Sequence, residues 1–376
     1  MIPKLIVSTV GTSLLTRHAQ KDERDALTRC ANYIEGECPQ DIRNIIEKLH
    51  FKALEQLESG QIGEIRQASA ELNGLIGLNA GQMPSENRDL HVLIATDTAQ
   101  GKATAETVKE FLQHCGCSVQ VYTPRNLSTK DADHFSEGIK DLLTWCDETL
   151  EGYRHAGYEI VFNLTGGFKS LQGYMNTIGM FYADRMVYIF ESPESKLIEI
   201  PRLPVQLDRS VFENHLADFL LLFSGNKEYA VSDFPDVPEA LIEVIDSTLY
   251  PSLWGSLVWN KTKETLLSEE LVSLPRLRYE RSFIEDFRAT ARPGDRVKLQ
   301  ETLARVSVLL DRENGSTRLL KTHPALQYED MKNRNVQGKP VGHFRITQGA
   351  RASCVSEHGG LTMRHYGEHD YVNNNP

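Results

Sequence analysis

The chain has 376 residues, of which 40% are hydrophobic and 25% charged, and its formal net charge is −11. That length supports two or three domains with cores of their own, and the composition is that of an ordinary folded protein. The charge is uneven: residues 276–376 hold 17 basic and 12 acidic side chains, a net of +5, with five of the twelve histidines, which leaves −16 on the rest. This excludes general polyanion binding over the acidic body and points the basic end of the chain at a polyanion. No run reaches the ~18 apolar residues of a membrane span, and Met1–Val10 lacks the charged start and cleavage site of a secretory leader. A cytoplasmic protein without membrane contact is expected. Cys115-Gly-Cys117 is the one close pair among six cysteines. Its spacing suits neither a zinc knuckle nor a redox motif.

In chain order, Lys4–Val10 is a β-branched apolar run ending in Gly11-Thr12-Ser13, the pattern of a first strand feeding a loop. Asp41–Ser59 repeats Ile42, Ile45, Ile46, Leu49, Leu54 and Leu57 at helical spacing. Glu64–Leu78 reads as one further helix and Gly81–Asp89 as a polar loop. His91–Thr96 is a strand ending in Asp97-Thr98-Ala99-Gln100-Gly101-Lys102; a helix to about His114 and a strand at Ser118–Thr123 follow. Asp131–His155 is helical, with Ile139, Leu142, Leu143 and Cys146 on one stripe. Next come a strand, Tyr158–Phe162, the turn Asn163-Leu164-Thr165-Gly166-Gly167-Phe168-Lys169, a helix, Ser170–Ala183, and a strand, Met186–Phe190. The right-handed crossover makes those two strands parallel. Lys196–Ile200 pairs with Met186–Glu191 across Ser192–Ser195 as an edge hairpin. The alternation predicts an α/β Rossmann-like parallel sheet domain over residues 1–205.

Three strand ends carry small or polar residues: Gly11–Ser13, Asp97–Gln100 and Thr165–Lys169. Ligands of open α/β sheets bind beyond the strands' carboxyl ends. The two glycines of the later turn let backbone N–H groups approach a ligand at the positive end of a helix, which suits phosphate. Thr165 and Lys169 add a hydroxyl and a cation. A dinucleotide GxGxxG and a GxxxxGK[ST] loop are both absent, which argues against a redox cofactor and an NTPase. A nucleotide-type ligand is expected, against the alternative of a helix-entry turn with none.

The Gly-Thr-Ser strand end, the Asn-Leu-Thr-Gly-Gly-Phe-Lys turn and the closing hairpin resemble the CRISPR-associated Rossmann fold (CARF) domain. The resemblance implies a homodimer with facing pockets that bind a cyclic oligoadenylate, most often cyclic tetra-adenylate, as an allosteric activator and with no other cofactor. Gly11, Thr12, Ser13, Asp97, Thr98, Thr165, Gly166, Gly167 and Lys169 would line that pocket. It also implies, as some members do, slow ring-nuclease cleavage of the ligand by Ser13 and Lys169, where a cation stabilises the charge developing on the attacked phosphate.

Residues 206–273 read as an acidic helical connector, interrupted by Asp233-Phe-Pro-Asp-Val-Pro238. Phe212, Leu216, Phe219, Leu220 and Phe223 form a stripe for packing or dimerisation, and Trp254 and Trp259 read as core. No basic recognition helix of a winged-helix domain is visible. Within residues 274–376, Leu274–Tyr279 is β-like, and Arg281–Thr290 and Asp295–Leu310 are helical around Ala291-Arg-Pro-Gly294. After a polar loop, Gly342–Thr347, Ala350–Val355 and Leu361–Tyr366 read as strands, with a turn at Glu357-His-Gly-Gly360.

This β-α-α-β-β-β order in a basic segment resembles the RelE/YoeB/HigB superfamily of toxin ribonucleases. The motifs are His343-Phe-Arg345, Gly349-Ala-Arg351 and Gly367-Glu-His369-Asp-Tyr371, with histidine and arginine in place of a lysine pair of some relatives. The resemblance implies an α+β RelE-like domain that cleaves messenger RNA in the ribosomal A site without a metal. The RNA's own 2′-hydroxyl would attack, which calls for a base, cations and an acid. His369 or His343 would do the proton work, histidine being the side chain that changes charge near neutral pH. Arg351 and Arg345 would hold the phosphate with forked donors, and Tyr371 would stack on a base or relay a proton. Arg364, His358 and His323 read as solvated. The Arg-x4–6-His spacing of HEPN ribonucleases occurs at Arg318…His323 and Arg351…His358, and both read as chance. The expected partners are therefore cyclic oligoadenylate, messenger RNA, the ribosome and a second copy of the chain. Two other readings stay open: a nucleic-acid-binding regulator that does not cut, and a ring nuclease whose main task is destroying the messenger.

Overall fold

β1 (Lys4–Thr9) is buried from Leu5 to Thr9, as a strand covered on both faces by helices must be. It leads into α1 (Ser13–Thr16), α2 (Lys21–Arg29), α3 (Gln40–Ser59), α4 (Ile62–Ala68) and α5 (Ala70–Leu78). β2 (Leu90–Ile94), α6 (Ala99–His114), β3 (Ser118–Tyr122), α7 (Ala132–His155), β4 (Glu159–Asn163), α8 (Lys169–Tyr182), β5 (Arg185–Ile189) and β6 (Leu197–Pro201) complete the first unit. This computed structural model describes residues 2–85, 88–190, 196–234 and 237–375. The Ser192–Ser195 turn and part of the Gly81–Asp89 loop lie outside them. The chain divides into two compact units, Met1–Val205 and Gln206–Pro376. Among the described residues no helix is long and apolar enough to cross a membrane.

The first unit is the predicted α/β sheet. Its strand order is β3-β2-β1-β4-β5-β6, parallel except for the antiparallel edge strand β6. The chain runs outward from β1 through β2 to β3, then crosses back to pair β4 with the other side of β1. That reversal opens a crevice beyond the carboxyl ends of β1 and β4. On α7, Ile139, Leu142, Leu143, Cys146 and Leu150 form the buried stripe. One expectation fails here: Glu64–Leu78 is two helices. Ser69 breaks it with extended backbone (φ −135°, ψ 123°), and its Oγ accepts the Leu72 N–H at 3.2 Å as the cap of α5. The apolar periodicity runs across this break and hides it.

The second unit begins with α9 (Ser210–Asn214), α10 (Leu216–Gly225), β7 (Tyr229–Ala230), β8 (Ile242–Ile245), β9 (Thr248–Pro251) and α11 (Leu253–Leu267). The region expected to be a helical connector therefore carries a small antiparallel sheet, β7-β9-β8. Nor does it stand apart from the C-terminal segment. Phe212 and Phe219 are fully buried, with ring centroids 4.7 Å apart and Trp259 5.7 Å from Phe212. The same core continues into Leu303, Phe344, Met363 and Tyr366. The aromatic stripe is thus interior packing.

The remainder is β10 (Leu277–Tyr279), α12 (Arg281–Ala289), α13 (Pro293–Arg312), α14 (Arg318–Thr322), β11 (Glu329–Val336), β12 (Lys339–Arg345), β13 (Ala350–Glu357), β14 (Gly360–Glu368) and α15 (His369–Asn374). Its sheet order is β10-β14-β13-β12-β11, with β10 parallel to β14 and the other pairs antiparallel. Helix α14 and strand β11 occupy the stretch read as a polar loop. His358 (φ 50°) and Gly359 (φ 70°) form the expected two-residue hairpin turn.

Gln300 on α13 is fully buried. Its amide donates to the Leu267 and Glu270 carbonyls and accepts the Val272 N–H at 2.8 Å, which pins the end of the supposed connector to α13. Gln300→Leu should strand those buried groups and lower stability by about 1–3 kcal/mol, read as a drop in the thermal unfolding midpoint.

Candidate functional site

The loops after β1 and β4 meet backbone to backbone. A Cβ on Gly11 would lie 3.2 Å from the Gly167 nitrogen, and Gly167 itself has φ +93°, a conformation glycine adopts without cost. Thr9 Oγ1 donates to the Gly166 carbonyl at 2.6 Å. Beneath them lies Glu71, 1% exposed, which accepts the Gly11 N–H and the Ser69 hydroxyl, each at 2.7 Å. Gly166 has no room for a side chain, because a Cβ there would stand 2.2 Å from Glu71 Oε1. Asn163 closes the lattice, donating to the Glu71 carbonyl at 3.0 Å and accepting the Thr165 hydroxyl at 2.9 Å.

Burial pushes the Glu71 carboxyl above its usual range, more than its hydrogen bonds to the Gly11 N–H, the Ser69 hydroxyl and its own backbone hold it down. The folded chain then keeps a proton that the unfolded chain releases above about pH 4.5. Stability should fall as pH rises through the raised folded value. Glu71→Gln should flatten that dependence in unfolding midpoints measured from pH 4.5 to 8.

Against these loops opens a cleft of about 710 Å³, lined by Ser13, Thr165, Arg17, Arg24, Arg66 and Asn73 among others, with no carboxylate among the described residues that line it. Arg17 donates to the Gln67 carbonyl and Arg24 to the Thr16 and Ala19 carbonyls. Among the described residues neither has a carboxylate within ion-pair distance. The cleft is therefore cationic on an otherwise acidic body.

Of the residues expected here, Ser13 and Thr165 line the cleft. Gly11, Gly166 and Gly167 form the junction between the loops, and Thr12 precedes α1, its carbonyl accepting the Thr16 N–H. Lys169 is exposed at the start of α8 and is not in the cleft's lining, so Ser13 and Lys169 do not share it. Asp97 pairs with Lys102 at 2.8 Å and accepts the Asn126 N–H, while Thr98 caps α6 through Gly101. Both are used internally. Sequence reasoning missed Arg17, Arg24, Arg66 and Glu71. The readable signal was Arg17, four residues after Ser13 and so on the same side of a helical turn.

In the second unit the register assembles another site. His343, Ser353 and His365 pair in one row across β12, β13 and β14; Arg345, Arg351 and Gly367 pair in the next row on the same face. Arg345 and Arg351 are thus like charges directly opposite, an arrangement that costs stability. The Nε of each is buried without a hydrogen-bond partner, and no carboxylate pairs with either among the described residues. An anion would relieve both defects.

His343 is 5% exposed, with Nε2 3.0 Å from Glu329, and so sits inside the sheet layer. His369 is exposed, facing Asp370 at 3.2 Å. Tyr371 donates to Asp286 Oδ1 at 2.8 Å and lies 3.3 Å from His365 Nδ1. His365 Nδ1 is 3.0 Å from Asp286 Oδ2, which also accepts the Tyr366 N–H. Asp286 and His365 were not singled out from sequence, since 79 residues separate them.

Arg364, read as solvated, is partly buried, with Nη1 3.9 Å from Glu280. His323 also keeps a buried Nδ1 without a partner. The Arg318 spacing falls on the five-residue α14, where Arg318 pairs with Glu313 at 2.8 Å. The Arg351 spacing runs along a strand into a turn.

The first unit is therefore a Rossmann-like α/β domain with an anion-suited crevice at its switch point. Residues 66–203, from within α4 to just past β6, match the family model described as CRISPR-associated protein (Cas_APE2256). The matched stretch contains the Asn163–Lys169 turn, and the match supports a CRISPR-associated role. No curated protein matches the chain.

Proposed function

We propose that this protein is a CRISPR-associated ribonuclease switched on by a cyclic oligoadenylate. The first unit acts as a CARF-type sensor that pairs with a second copy and takes the messenger, cyclic tetra-adenylate by resemblance, at the loops after β1 and β4. The Arg17–Arg24–Arg66 cleft supplies charge for its phosphates. Binding shifts the population toward a state in which the second unit acts on RNA. That unit acts as a RelE-like nuclease that cuts messenger RNA in the ribosomal A site.

One observation carries the output half: the Arg345–Arg351 pair, two arginines opposite one another in register, each with a buried Nε that lacks a hydrogen-bond partner and neither with a carboxylate partner among the described residues. A structural role does not call for that arrangement, whereas a phosphodiester in flight to a phosphorane does. The order β10, α12, α13 and then antiparallel strands supports the RelE resemblance, with α14 and β11 added before the expected three strands and α15 after them. The test is to incubate the full chain with translating ribosomes, with and without cyclic tetra-adenylate, and to map RNA ends. Cleavage in A-site codons only with the messenger is expected; intact messages under both conditions reject the reading.

A further inference from the structure

We propose that His365, held by Asp286, takes the proton from the attacking 2′-hydroxyl, with Asp286 and Tyr371 as its positioning residues. The inference rests on the ribonuclease reading and names its base. Asp286 stands on α12 where β14 has outrun its partner β10, whose pairing ends at Met363. Helix α12 takes over the free strand edge: Ser282 Oγ donates to the Arg364 carbonyl at 2.6 Å, and the Asp286 carboxylate accepts from the Tyr366 N–H at 3.0 Å, from the Tyr371 hydroxyl at 2.8 Å and faces His365 Nδ1 at 3.0 Å.

A carboxylate can only accept, so it selects the tautomer with the proton on Nδ1. The lone pair is then on Nε2, for which no partner stands among the described residues, and the imidazole keeps 19% of its surface exposed. Tyr371 already spends its hydroxyl proton on Asp286. Partial burial and that hydrogen bond raise the phenol above its usual value, so it stays protonated and serves as a clamp. Its ring covers Gly367, where a Cβ would lie 2.8 Å from Tyr371 Cδ1.

The surroundings are consistent with a base beside a bound phosphate. Arg351 is the cross-strand partner of Gly367 and Ser353 that of His365, so Arg351 and His365 are diagonal neighbours about 7–8 Å apart. Of the other charges nearby, Arg345 stands opposite Arg351 without a carboxylate partner among the described residues, Arg364 has Glu280 at 3.9 Å, and His369 on α15 faces Asp370. From β10, Arg278 pairs in register with Thr362, toward the other end of β14.

The step balances. Nε2 takes the 2′-hydroxyl proton, the O2′–P bond forms and the P–O5′ bond breaks. The departing O5′ takes a proton from water, and His365 later returns its own to solvent. The products are a 2′,3′-cyclic phosphate and a 5′-hydroxyl.

The experiment uses the full chain with translating ribosomes and cyclic tetra-adenylate. His365→Ala should lower kcat by at least about 100-fold, with messenger binding and the thermal unfolding midpoint kept, and added imidazole should restore part of the rate. Asp286→Asn should lower kcat with little change in KM. No imidazole rescue, or a deeper loss in His369→Ala than in His365→Ala, overturns the proposal while leaving the ribonuclease reading intact. An inactive wild-type chain removes the reading and the proposal together. Should His365→Ala fail to fold, His365→Gln decides: an unimpaired rate overturns the assignment, and a rate lost in a folded chain supports it.

Discussion

Arg351→Ala is expected to cut RNA cleavage by roughly 10²–10³-fold, on the order of 3–4 kcal/mol of transition-state stabilisation, without unfolding the protein. The two effects separate because of where the charge stands. Arg351 faces Arg345 directly across β12 and β13, and neither has an anionic partner among the described residues. Deleting one guanidinium removes a repulsion worth about 0.2–1 kcal/mol, offset in part by the lost aliphatic stem. The unfolding midpoint should stay level or rise as activity disappears. Measuring RNA ends and thermal unfolding on one preparation checks both. A fall in stability matching the fall in activity would mean that the pair is structural after all. Nucleic-acid affinity should drop less than the rate, which separates a nuclease from a regulator that only binds.

The second large effect concerns the sensor. Arg17→Ala combined with Arg24→Ala should weaken cyclic tetra-adenylate binding by about 10²–10⁴-fold, at ~1.5–3 kcal/mol for each charged hydrogen bond lost. The slope of affinity against salt should become shallower too, because fewer counter-ions are exchanged. Isothermal titration at two salt concentrations measures both. These arginines donate to backbone carbonyls at the surface, so their loss should leave Glu71 and the loop junction in place. Unchanged affinity would move the ligand away from this cleft.

Much of the first unit was legible. The run Lys4–Val10, the strand at His91 and the Asn163–Lys169 turn carry period and punctuation that need no partner to be recognised. The connector misled because Phe212, Phe219 and Phe223 have helical spacing whatever covers them. That they share a core with Phe344 and Tyr366 is a fact about segments more than a hundred residues apart. The small β7-β9-β8 sheet was invisible for a related reason: strands of two to four residues are too short to show an alternation.

For the sites, residue chemistry could be read and assembly could not. Arg345, Arg351 and Tyr371 were visible as candidates, and the glycine turn as a candidate anion cradle. What sets His365 apart from His369 and His343 is its contact with Asp286, which comes from α12 and reaches β14 only in the fold. Similarly, Glu71 joins the two loops from a helix that sequence periodicity merged with its neighbour. What the amino-acid order settled alone was the alternation, the turns and the basic bias of the last hundred residues, because each is written in neighbouring positions. Tertiary structure decided which charges face one another and which are buried, because strand register and burial arise from contacts between distant segments.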